Sequence, residues 1–130
     1  MDFYTKSIKQ GIKPTKELSE YLFKQIIMIV HTLHTVYGMA HLDLKPDNFV
    51  ITHDFKLALI DFCHSDLIDS IQRIITGTSL YQPPEQRFFI EKGLESKLNY
   101  QAKAADIWSL GINLYIAMGF RPPYQSIFDG

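Results

Sequence analysis

His41-Leu-Asp-Leu-Lys-Pro-Asp-Asn-Phe-Val-Ile-Thr-His-Asp-Phe-Lys-Leu-Ala-Leu-Ile-Asp-Phe62 is the stretch on which the fold of this chain turns. Pro46 keeps the segment holding Asp43, Lys45 and Asn48 from continuing as regular helix, so a loop of fixed shape is predicted there, with side chains free to converge. Beyond it, Phe49-Val-Ile-Thr52 and Lys56-Leu-Ala-Leu-Ile60 are short strand-like runs, and His53-Asp54-Phe55 between them is short enough for a hairpin turn. The hairpin would bring Asp61 back toward Asn48. An amide oxygen and a carboxylate held together are hard ligands, better matched to Mg²⁺ carrying nucleotide phosphates than to a soft metal. Lys45 would then neutralise a transferring phosphoryl group.

The stretch resembles the catalytic core of the eukaryotic protein kinase family, in which H-R-D-L-x-x-x-N is followed by D-F-G. Here the motifs read His41-Leu42-Asp43-Leu44-Lys45-Pro46-Asp47-Asn48 and Asp61-Phe62-Cys63. The resemblance implies a serine/threonine kinase using ATP and Mg²⁺ on a protein substrate. Asp43 would accept the proton of the substrate hydroxyl, Lys45 would sit against the γ-phosphate, and Asn48 and Asp61 would hold the metal. His41 would brace the loop through backbone hydrogen bonds, and Phe62 would pack inward. Lysine two places after the base is the serine/threonine pattern of the family.

From Asp61 to Glu85 a polar segment ends in Gly77-Thr78-Ser79-Leu80-Tyr81-Gln82-Pro83-Pro84-Glu85, which resembles the family's activation segment with Pro83-Pro84-Glu85 in place of A-P-E. By that resemblance Thr78 would hydrogen-bond near Asp43 and Lys45, and the stretch to Tyr81 would line the groove for the substrate residue after the phosphoacceptor. Ser79 and Thr76 are either phosphorylation sites or solvated loop hydroxyls. Asp106-Ile-Trp-Ser-Leu-Gly111 looks like the family's D-x-W-S-x-G element, whose aspartate ties a central helix to the catalytic loop. Asp106 would be costly to bury without backbone donors, and Trp108 is read as core packing.

Around these motifs the chain is 130 residues long, 46% hydrophobic and 13% aromatic, enough for one core and too little for two ordinary domains. Its net charge is -1 and its 13 basic residues are dispersed, which argues against a nucleic-acid footprint or a basic membrane-binding face. One cysteine excludes an internal disulfide and suits a reducing compartment. The run Ile26-Ile-Met-Ile-Val30 is too short for a membrane span, and Met1-Asp-Phe-Tyr-Thr-Lys6 lacks a signal peptide's apolar core, so the cytoplasm or nucleus is expected.

Asp2 to Gln10 reads as a short helix closed by Gly11. Thr15 is a candidate N-cap for a long helix whose apolar residues recur from Leu18 to Tyr37, with Gly38 as its stop. Most of its circumference should be buried. His31 and His34, three apart, lack a carboxylate or cysteine at ligand spacing, and a metal role is the lesser reading. Ala102 to Met118 reads as an internal helix, apolar nearly all round.

The sequence departs from the family in three places. Leu42 replaces the arginine that holds a phosphate on the activation segment, and Cys63 replaces a glycine, where positive φ would cost about 1–2 kcal/mol. No glycine-rich G-x-G-x-x-G loop is present, and no V-A-I-K-like strand precedes the long helix. The expected fold class is therefore mainly α with a small β-hairpin, the C-lobe part of the α+β kinase fold. Residues 1–130 would form a partial catalytic domain without the N-lobe and the last C-lobe helices. The alternative to an enzyme is a pseudokinase-like interaction module, bound by a protein partner that covers exposed apolar faces. A nucleotide would meet half a clamp, so no measurable thermal stabilisation of the 130-residue chain by Mg-ATP is expected, and a clear shift would overturn that expectation.

Overall fold

The computed structural model describes residues 15–54, 56–121 and 123. The helix expected over Asp2 to Gln10 and the turn residue Phe55 lie outside them. Helix α1 spans Lys16–Thr35. It starts where the sequence places its cap, the Thr15 hydroxyl accepting the Leu18 N–H at 3.2 Å. It ends at Thr35, with Val36 as its C-cap, three residues before the expected stop at Gly38, where φ of 62° turns the chain in a conformation that glycine adopts without a Cβ penalty.

Strands β1 (Met39–Ala40), β2 (Phe49–Ile51) and β3 (Leu57–Leu59) follow. β2 and β3 form the expected antiparallel hairpin, in the register Phe49 opposite Leu59 and Ile51 opposite Leu57. Thr52 closes it, its N–H donating to the Lys56 carbonyl at 2.8 Å and its hydroxyl accepting the Lys56 N–H at 3.1 Å. Two further antiparallel pairs are additions to the expected single hairpin. β1 pairs with β4 (Asp66–Leu67), and β5 (Ile71–Gln72) pairs with β6 (Tyr100–Gln101). Helix α2 (Pro84–Glu91), helix α3 (Ala102–Ala117) and the 3₁₀ turns Pro46–Asn48, Ser79–Tyr81 and Glu95–Lys97 complete the described elements.

Two apolar clusters flank the loop that follows β1. Ala40, Leu42, Leu98, Tyr100, Ala102 and Ala105 form one, and Val30, Leu44, Phe49 and Leu110 form the other. The chain bends at Leu42, whose φ is 65°, and Leu44, two residues on, enters the second cluster. Leu44 is wholly buried, and burial of such a side chain stabilises by about 1.5–3 kcal/mol. The loop is thus pinned by leucines on both sides of Asp43.

Both long helices are less covered than their apolar patterns predict. In α1 the buried residues are Val30, Leu33 and His34, while Tyr21, Ile27 and Met28 are exposed. In α3 the buried stripe runs through Ala102, Ala105, Asp106, Ser109, Leu110, Ile112 and Asn113, and Ile107, Leu114 and Tyr115 are exposed. A periodic pattern identifies the apolar face of a helix, but neighbouring elements decide how much of it is covered. Trp108 is half-buried, beside a groove that it lines with Pro83, Glu85, Ile107 and Ile112. No helix of the described residues is long and apolar enough to cross a membrane.

Candidate active site

The site is suspended from Asp106, in the first half of α3, whose side chain has no solvent exposure. Its Oδ2 accepts the His41 N–H at 2.8 Å and bonds His34 Nε2 at 2.8 Å, and its Oδ1 accepts the Leu42 N–H at 2.8 Å. Two successive backbone donors and an imidazole thus supply the compensation that burial of a carboxylate requires. They hold the strained turn at Leu42 in place. Asn113, two helical turns further along α3, donates to the Leu44 carbonyl at 3.0 Å and fixes the loop a second time.

His41 is fully buried and bridges the two motifs. The Asp43 N–H donates to its Nδ1 at 3.3 Å, so Nε2 carries the proton and donates to the Ile60 carbonyl at 3.0 Å. Its ring meets Phe62 edge-on at 5.0 Å. The Ile60 N–H in turn donates to the Asn48 carbonyl at 2.9 Å, which ties the residue before Asp61 to the end of the loop.

Asp43 is buried, and its carboxylate is the focus of the polar contacts. Oδ1 accepts both the N–H and the hydroxyl of Thr78 at 2.8 Å. Oδ2 faces Lys45 Nζ at 3.0 Å and Asn48 Nδ2 at 3.2 Å. Lys45 also donates to the Thr78 hydroxyl at 2.7 Å, and Asn48 Nδ2 donates to the Asp43 carbonyl at 2.8 Å. Burial works against ionisation of Asp43, but the Thr78 hydroxyl, the Lys45 ammonium and the Thr78 N–H outweigh it and hold the carboxyl below its usual range.

A carboxyl depressed in the folded state contributes stability that is fully present above its unfolded pKa, about 3.9, and is lost as pH falls through its lower folded value. The urea midpoint of the wild type is therefore expected to fall between about pH 5 and pH 2 more steeply than that of Asp43→Asn. Equal slopes would remove Asp43 from the acid-sensitive groups.

Gly77 makes the approach of Thr78 to Asp43 feasible. Its φ is 76°, and a Cβ there would lie 2.5 Å from the carbonyl oxygen of Leu42, the residue whose N–H is held by Asp106. Gly77→Ala is expected to cost about 2–4 kcal/mol, as left-handed strain plus overpacking, and to lower the urea midpoint accordingly. A midpoint unchanged from wild type would show that the segment relaxes freely.

Asp61 departs from expectation in its backbone. The positive φ of this motif, 64°, falls on Asp61 and not on Cys63. An aspartate tolerates that conformation when its side chain bonds locally, and Oδ1 accepts the Cys63 N–H at 3.5 Å. The Cys63 thiol and N–H hold the exposed Asp61 carboxyl below its usual range, and the Asp61 carboxylate pushes the exposed Cys63 thiol up. Cys63 is accordingly a poor thiolate. Phe62 is 45% exposed, where inward packing was expected.

Tyr81 closes the 3₁₀ turn Ser79–Tyr81, its carbonyl accepting from the Ser109 hydroxyl at 2.8 Å. Glu85 stands in the first turn of α2. Thr76 is buried, its hydroxyl 2.6 Å from that of Tyr100, and this excludes the accessible role the sequence allowed it. His34 is the residue whose part the sequence did not reveal. Its partner lies 72 positions away, and His31, with which it was paired in sequence, is exposed. Among the described residues no three His, Cys, Asp or Glu side chains form a metal-binding group.

Comparison with known proteins completes this picture. The protein kinase domain profile matches residues 2–129. Calcium-dependent protein kinase 29 of Arabidopsis thaliana is 33% identical over 128 residues, covering 95% of this chain and 22% of that protein. Serine/threonine-protein kinase CHK1 of Saccharomyces cerevisiae is 28% identical over 121 residues, covering 91% and 22%. Calcium/calmodulin-dependent protein kinase kinase cmkC of Emericella nidulans is 33% identical over 107 residues, covering 79% and 19%. The chain spans about a fifth of the length of these relatives.

Proposed function

This chain belongs to the protein kinase family, and from that premise we propose that residues 1–130 are part of a serine/threonine kinase catalytic domain that transfers the γ-phosphoryl of ATP to a protein hydroxyl. The observation that carries the reading is the Asp43 carboxylate, buried beneath Thr78 and held between Lys45 and Asn48. Asp43 is the residue we assign to the substrate hydroxyl. Held below the usual carboxylate range, it is a weak base before reaction, so its work is to accept the hydroxyl's hydrogen bond, orient it in line and receive its proton late. Lys45 supplies a mobile ammonium for the γ-phosphate, because its side chain keeps 23% of its exposure beside the buried carboxylate. Thr78 fixes the Asp43 rotamer from the side on which Tyr81 and the turn before Glu85 would receive the peptide substrate.

The donor set fits Mg²⁺. Both hydrogen bonds of the Asn48 carboxamide run through Nδ2, which leaves its oxygen for a cation, and Asp61 offers an ionised, exposed carboxylate. Asn48 and Asp61 are the residues that would hold the ion, which when bound neutralises phosphate charge. The free, exposed Cys63 suits a reducing compartment, and we place the protein in the cytoplasm or nucleus.

The test is transfer of labelled γ-phosphoryl from ATP by the full-length protein containing this chain. Label on serine- or threonine-containing peptides is expected. No incorporation, or label confined to tyrosine, would overturn the proposal. A second reading, an interaction module, is favoured by one feature, the apolar groove of Pro83, Ile107, Trp108 and Ile112 with Glu85 among its lining residues. It predicts partner binding that survives loss of Asp43.

A further inference from the structure

Every polar group of Thr76 is taken by a side chain from elsewhere in the chain. Its N–H donates to Gln86 Oε1 at 3.2 Å, its carbonyl accepts from Gln82 Nε2 at 3.1 Å, and its hydroxyl lies 2.6 Å from that of Tyr100. The Tyr100 hydroxyl donates its single proton to the Ile74 carbonyl at 3.1 Å, so the Thr76 hydroxyl is the donor of the shorter bond. Thr76, Gln82, Gln86 and Tyr100 are all buried, where such bonds meet little competition from water and are costly to lose. Thr78, which places two donors on Asp43 Oδ1, stands two residues further on.

Tyr100 also joins the two stretches of chain that meet at Asp43. Its main chain pairs with Gln72 across β5 and β6, and its ring shares one apolar cluster with Leu42, the residue before Asp43. Burial pushes its phenol above the usual range, which keeps it a neutral donor. Gln86 reaches the same Thr76 from the first half of α2.

We propose that Tyr100 and Gln86 are positioning residues, which by gripping Thr76 hold Thr78 against Asp43 and so keep the carboxylate aimed at the substrate hydroxyl. The consequence for turnover rests on the role proposed above for Asp43, whereas the hold on Thr78 does not. Both residues act through Thr78. A small displacement of Thr78 removes two donors from Oδ1 and frees the Asp43 rotamer, and misplacement by about 1 Å is enough to slow a reaction about 10²-fold.

The experiment compares wild type, Tyr100→Phe and Gln86→Met in the full-length protein, at a temperature where melting curves show each to be folded. It reads hydrogen exchange at the Thr78 amide and steady-state kinetics with ATP and a peptide. Both variants are expected to speed Thr78 exchange about tenfold or more and to lower kcat about tenfold or more, with KM for ATP within about twofold of wild type. Ile71→Ala, an exposed residue of the same strand pair, should leave all three at wild-type values. If either variant does not fold, Thr76→Val, which removes only the hydroxyl bonded to Tyr100, takes its place, and Thr76→Ser should recover wild-type behaviour. Thr78 exchange unchanged in the folded variants overturns the proposal, whatever happens to kcat. So does an equal loss of ATP affinity and kcat, the mark of general loosening. A wild type that transfers no phosphoryl group would sink the role of Asp43, and the exchange rates would still decide whether Tyr100 and Gln86 hold Thr78.

Discussion

Asp106→Ala is expected to destabilise the fold by about 3–5 kcal/mol, because removing the buried carboxylate strands donors that no water reaches. The His41 N–H, the Leu42 N–H and His34 Nε2 all lose their acceptor at once, in a site with no exposure. Against a total stability of roughly 5–15 kcal/mol for a domain, this is a large fraction, and a melting temperature lower by about 10–20 °C follows. The neighbouring substitution Ile107→Ala, on the exposed side of the same helix turn, is the control and should change the melting temperature by no more than a few degrees. Asp106→Ala melting within about 2 °C of wild type would show that the loop does not hang from α3.

Asp43→Asn should lower the rate of phosphoryl transfer by about 10²–10⁴-fold in the full-length protein. The substitution is isosteric and keeps an oxygen for the Thr78 donors, but it removes the group we assign to the hydroxyl proton and the charge that faces Lys45. Nucleotide affinity should be close to unchanged, since Asn48 and Asp61, the assigned metal holders, are not altered. The loss therefore belongs in kcat, the mark of an interaction made in the transition state only. Turnover retained at wild-type level would take Asp43 out of its role. Loss of nucleotide affinity together with rate would mean that the loop had collapsed, which the Asp106→Ala melting curve would allow one to recognise.

The hairpin and the caps were legible because their signals are local. Thr15 and the run Phe49 to Ile60 act through neighbours within a few positions, and the structure places them as the residues suggest, whereas the long helix stops three residues short of Gly38. The two-residue strands β4, β5 and β6 are too short to show an alternation, and their partners lie far away in sequence. His34 was ambiguous for the same reason. Its meaning depends on Asp106, and an imidazole at helical spacing from another, with a metal role only the lesser reading, has no assigned part until that partner is known. The left-handed residue of the Asp61-Phe62-Cys63 turn was not identified because the family pattern draws attention to the missing glycine. The physics instead favours the aspartate, whose own side chain can compensate that backbone conformation. The bareness of α1 and α3 was only half legible, since composition marks an apolar face without saying which element comes to meet it.

A carboxylate has about four lone-pair directions, and at Asp43 the Thr78 N–H, the Thr78 hydroxyl, the Asn48 amide and the Lys45 ammonium take all of them. The resting carboxylate is therefore saturated, and the substrate hydroxyl of the proposed reaction would be accepted only by evicting a donor. Three of the four belong to the backbone or to short side chains, whereas Lys45 is long and partly in water. An anion arriving beside Lys45 would draw the ammonium away and open a vacancy on Asp43, so that in the proposed reaction the phosphate would precede the hydroxyl.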